Sequence, residues 1–172
     1  MGQKEQSRKK WVVFTVVTLI CTIAVLIGAF FVLHHIRDNY VGYSPDQITE
    51  HIIDTLKLED LVKVDSEQLS KHYDIPDGVV QASSVYMSKS SESASELACF
   101  LLTTSSKHDE LTQVINDHIN TKAAGFKSLN PIQYNALKNV LISQKGRYVL
   151  VAVGSDASAE EKLFLELLDN NA

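Results

Sequence analysis

Hydrophobic and polar positions divide the chain before any single residue is weighed. Residues 11–33 form an uncharged run of 23 residues, fifteen of them Val, Leu, Ile or Phe. A helix of that length, rising about 1.5 Å per residue, spans roughly 34 Å, against about 30 Å for the hydrocarbon core of a bilayer. The pattern predicts one membrane span. Lys4, Arg8, Lys9 and Lys10 precede it, whereas Arg37 follows with Asp38 beside it. The positive-inside bias therefore predicts a cytoplasmic basic tail at residues 1–10 and a signal anchor that leaves the rest of the chain outside. A cleaved signal peptide, processed after Ala29, is the competing reading, although apolar regions of about 7–15 residues are usual there.

Residues 34–43 read as a juxtamembrane connector with Tyr40 and Tyr43 near the headgroups, and residues 44–172 as one extracytoplasmic domain. Ser44-Pro45-Asp46-Gln47 has the pattern of a capping box with Pro at the first helical position, and Ile48, Ile52, Ile53 and Leu56 follow on one face. A short helix from Ser66 turns Leu69 and Tyr73 inward and stops before Ile75-Pro76-Asp77-Gly78. Residues 79–87 and 96–104 read as a hairpin with a Ser-rich polar tip, the second strand apolar on both faces as in the centre of a sheet.

An amphipathic helix over residues 107–124 comes next, then a helix capped by Asn130-Pro131 and carrying Ile132, Ala136 and Leu137. Residues 140–143 and 147–154 make a second hairpin around Lys145-Gly146. A last helix, capped within residues 155–158, buries Leu163, Phe164, Leu167 and Leu168. Two hairpins separated by helices and closed by another predict an α+β domain, an antiparallel sheet of about four strands packed with helices.

Charge and cysteine narrow the function classes. After residue 33, twelve Lys and Arg stand against twenty Asp and Glu, a formal balance of −8 with no basic block. Such a surface argues against nucleic acid as a partner. Cys21 lies in the span and Cys99 in an apolar strand, so no disulfide staples the domain, and Cys99 reads as a small buried hydrophobe. No metal-ligand spacing, phosphate loop or nucleophile elbow is present in the sequence, and neither a metal nor a cofactor is expected.

One stripe departs from the ordinary pattern. Leu111, Val114, Ile115, Ile119 and Phe126 define an apolar arc on the helix at 107–124, and His118 and Lys122 fall inside that arc. Polar groups on a core-facing stripe need partners or water. Two readings stand: a hydrogen-bonded core histidine beside a snorkelling lysine, or a small pocket in which His118 and Lys122 face an anionic ligand or an acidic partner. Glu96, at the mouth of the central strand, can pair with either.

Ser95-Glu96-Leu97-Ala98-Cys99-Phe100, Phe126-Lys127-Ser128-Leu129-Asn130-Pro131 and Gly146-Arg147-Tyr148-Val149 are similar, in order and spacing, to an extracytoplasmic bacterial family, the domain-of-unknown-function family 4358. That family shows an acidic residue before an apolar strand, a Phe-x-x-Tyr-x-Pro segment and a Gly-x-Tyr-Val strand. Leu129 here takes the place of the Tyr, and His118 and Lys122 stand where relatives often carry Arg and Gln. The resemblance covers about residues 61–168 and implies anchoring outside the membrane of a Gram-positive bacterium, with no activity attached. The expectation is a single-pass membrane protein whose outer domain is a non-catalytic binding or protein-interaction module for an envelope protein or a small ligand. The alternative is an envelope hydrolase or transferase using Glu96 and His118 as acid and base, which a solvent-open cleft would favour and burial would not.

Overall fold

The computed structural model describes residues 22–28 and 42–169. Residues 22–28 are helical and exposed and belong to a unit separate from the domain. Among the described residues no helix is long and apolar enough to cross a membrane. Most of the span expected at residues 11–33 lies outside them, as do the basic tail and most of the connector.

The domain opens with α1 (Pro45–Leu56), and its start is dictated locally. Ser44 Oγ accepts from the Gln47 amide while Gln47 Oε1 accepts from the Ser44 amide, the reciprocal capping box. Lys57 closes the helix in the left-handed region, at φ 56°. A three-residue strand, β1 (Leu61–Lys63), and a short helix, α2 (Ser66–His72), lead to the long hairpin β2 (Val80–Ser88) and β3 (Glu96–Leu102). A single 3-10 turn then enters α3 (His108–Phe126), followed by α4 (Pro131–Lys138), whose N-cap Asn130 accepts from the Gln133 amide. The second hairpin, β4 (Leu141–Lys145) and β5 (Tyr148–Val153), precedes α5 (Ala157–Asp169).

All pairings are antiparallel, in the order β1-β2-β3-β5-β4. The sheet thus has five strands where about four were expected. The additional one is β1, too short for alternation to be visible in sequence, and formed because Leu61, Val62 and Lys63 lie along Ser88, Met87 and Tyr86.

Every residue of β3 and β5 is buried. Leu97, Cys99, Leu101 and Leu150 face α1 and α5, packing on Ile48, Ile52 and Phe164. Ala98, Phe100, Leu102 and Val151 face the other layer, packing on Leu111, Ile115 and Leu137. Burial of each large side chain of these two clusters contributes about 1.5–3 kcal/mol before entropy is charged. In α4 Ile132 is 77% exposed, as is neighbouring Leu129 at 82%. The helix turns Leu137 to the core, with Tyr134 and Ala136 half-buried against it.

Candidate functional site

Glu96 begins β3, and strand alternation places its side chain on the face of Ala98 and Phe100, toward α3. His118 and Lys122 are one turn apart on α3, so their side chains lie along one line of the helix. Both reach Glu96. The His118 Nε2–H donates to Glu96 Oε2 at 3.0 Å and the Lys122 ammonium donates to the same oxygen at 2.6 Å. The other oxygen, Oε1, accepts a short hydrogen bond from the Tyr73 hydroxyl, which the chain presents directly after α2. Tyr73 also lies 4.2 Å from the His118 ring, centroid to centroid, and meets Phe100 edge-on. His72 approaches the outer side of His118 edge-on at 5.9 Å.

The cluster is closed. Glu96 is 1% exposed and His118 8%, and the Lys122 side chain keeps 18% of its surface in contact with solvent. Burial by itself would raise the Glu96 pKa, but hydrogen bonds from His118 and Lys122 and the lysine charge overcome it and hold the carboxyl at about 2. Burial, then the Glu96 charge and hydrogen bond, push the Tyr73 phenol well above its ordinary range, so it stays a donor. An ionised carboxylate, acceptor only, is thereby supplied with donors on both oxygens.

All three residues singled out from the sequence meet at one point, and the two alternatives for Glu96 collapse into one, because it pairs with His118 and Lys122 together. Tyr73 was expected only to face inward. Its hydroxyl carried a signal, since a buried phenol needs a hydrogen-bond partner, but nothing in the sequence names Glu96 as that partner. Lys122 ends on Glu96 rather than snorkelling free. Cys99 is fully buried among apolar side chains, and burial raises its thiol pKa. Among the described residues no group of His, Cys, Asp and Glu has the arrangement of a metal site.

Both oxygens of this carboxylate are occupied and its side chain has no exposed surface. What the arrangement does is tie the head of β3, the end of α2 and the middle of α3 together. A separate cavity of about 430 Å³ opens at the outer edge of β2, lined by Asp46, Lys63, Asp65 and Ser83 among others and by none of the cluster residues. The cavity did not show in the sequence, because segments far apart in the chain create it.

Fold and cluster together define a small α+β domain built around a buried, ion-paired carboxylate. A family model described as Domain of unknown function (DUF4358) matches residues 54–154, and the chain belongs to that family. The match takes in Tyr73, Glu96, His118 and Lys122 and ends before α5. No curated protein and no solved structure matches the chain.

Proposed function

We propose that this chain is a single-pass membrane protein whose domain is a non-catalytic binding or protein-interaction module on the outer side of a bacterial cell membrane. The observation that carries the reading is the closure of the Glu96 cluster: its one strongly acidic group is spent on internal hydrogen bonds and faces no solvent. An envelope hydrolase or transferase using Glu96 and His118 would need that carboxylate open to a substrate. The apolar run at residues 11–33 and the basic residues before it support the anchor and its orientation. The acidic surface supports a protein or small-ligand partner over nucleic acid.

The test is photocrosslinking of the full-length protein in intact cells, followed by mass spectrometry. A single envelope protein recovered repeatedly, and equally well with a Glu96→Gln variant that remains folded, is the expected result. Failure to recover any partner, or a hydrolytic activity of the full-length protein lost in Glu96→Gln, would overturn the reading.

A further inference from the structure

The outer edge of the sheet is incomplete at one place. β2 runs for nine residues, but β1 covers only its last three, Tyr86 to Ser88, before the chain leaves for α2. One further bond, from the Val64 amide to the Val85 carbonyl at 2.8 Å, ends the pairing. Hydrogen-bonding directions alternate along a strand. Ser88 donates to Ser95 on the β3 side, at 3.0 Å, and Val85 accepts from the opposite side, so Ser83 turns its own N–H and C=O to the free edge. Gln81 and Ala82, just before it, are exposed.

The cavity opens against this edge. Ser83 and Ser84 form its floor, Val64 and Asp65 close the end where β1 stops, and an ion pair between Asp46 of α1 and Lys63 of β1, 2.7 Å long, stands at its wall. Of the charged groups that line it, Asp46 is paired with Lys63 and Asp65 accepts from the Gln68 amide through one oxygen, leaving its other oxygen toward solvent; the segment that walls the cavity is acidic. Residues 44–78, which carry α1, β1 and α2, hold nine Asp and Glu against three Lys, whereas residues 79–169 hold ten against eight Lys and Arg. An unpaired strand edge is a template for another strand, and a neighbouring groove selects its side chains.

We propose that the open edge of β2 around Ser83 receives an extended, basic segment of a partner protein as an added strand, with its backbone on Ser83 and its cationic side chains against Asp46 and Asp65. This rests on the interaction-module reading and assigns that module its surface. The main chain supplies the affinity and the acidic rim the choice of partner.

The experiment uses the full-length protein in detergent micelles and a fluorescent octapeptide alternating Lys and Val, followed by anisotropy and amide hydrogen exchange. The expected result is saturable binding with slowed exchange at Ser83. A Glu-Val octapeptide, and the Lys-Val peptide N-methylated along its backbone, are both expected to bind at least tenfold more weakly; the latter keeps the charge and loses the donors. Ser83→Pro, which removes an outward-facing N–H without breaking a bond to β3 and sets a ring in its place, is expected to weaken binding at least tenfold as well. If that variant fails to fold, the N-methylated peptide still decides. Equal binding of the methylated peptide, no saturable binding, protection on β4 instead, or occupation of the edge by a second copy or by the chain's own basic residues would each overturn the proposal. A partner recovered in cells while the peptide fails would remove this edge and leave the module, whereas loss of both would remove the module too.

Discussion

At the scale of single residues, two buried carboxylates are held in opposite states. Glu96 is kept ionised by its three donors, with its pKa lowered from 4.5 to about 2. A depressed carboxyl pKa contributes stability that is present above the unfolded value and lost as pH falls. Unfolding followed by near-UV circular dichroism is therefore expected to show stability declining from about pH 4.5 toward 2, and Glu96→Gln to flatten that decline. Replacing His118 and Lys122 by Leu strands the carboxylate, and breaking a buried pair in this way costs about 3–5 kcal/mol. Adding Glu96→Leu and Tyr73→Phe removes the stranded charge together with the hydroxyl it would leave unpartnered, so the quadruple variant is expected to recover most of that loss in chemical denaturation. Failure to recover would mean the cluster does more than satisfy itself. Glu160, on α5, behaves in the reverse sense: it is 4% exposed, and its Oε2 has no hydrogen-bond partner among the described residues. Burial first, and Asp156 second, raise its pKa to about 7. The unfolded chain then releases this proton more readily than the native one, so stability falls as pH rises from about 4.5 to 7 and stays lower above that. Glu160→Gln is expected to stabilise the protein at pH 8 by about 1–3 kcal/mol, with the advantage gone below pH 4.5.

At the scale of elements, the turns and caps follow local rules that the sequence spells out. The β4–β5 hairpin pairs Lys145 with Tyr148, leaving Gly146 and Arg147 as a two-residue loop. Gly146 has φ 59° while Arg147 does not enter the left-handed region, the pattern of a type II′ turn with Gly at its first central position. Gly146→Ala places a Cβ in that conformation and is expected to cost about 1–2 kcal/mol. In urea the midpoint should drop with an unchanged slope; a changed slope would point to a rearranged hairpin instead. The capping box of α1 and the Asn130 cap of α4 were legible for the same reason, because each is decided within four residues. β1 was not legible, since three residues carry no period and only the edge of β2 makes them a strand.

At the scale of the molecule, the antiparallel sheet separates two ends of the domain. The chain joins the domain at Tyr43, whose carbonyl accepts from the Tyr148 hydroxyl at 2.6 Å, and Tyr148 pairs with Leu101 at the far end of β3 from Glu96. The Ser-rich turn at residues 89–95 lies at the Glu96 end and is held to the start of α4 by the Ala94 amide donating to Gln133 Oε1 at 2.8 Å. In the anchored reading, a Cys at exposed Ser90 is expected to react with an impermeant maleimide on intact cells and one at Lys4 to be spared; the reverse pattern would invert the orientation. The sequence by itself determined the α+β class, both hairpins, the Ser44 and Asn130 caps and the inward stripe of His118 and Lys122, because hydrophobic spacing and short-range hydrogen bonds depend only on neighbouring residues. Tertiary structure alone decided that Tyr73, Glu96, His118 and Lys122 form one closed cluster, that β1 exists, and that β2 keeps an open edge. Those outcomes join residues 22 to 49 positions apart, and no local pattern encodes which distant partner will satisfy a buried charge.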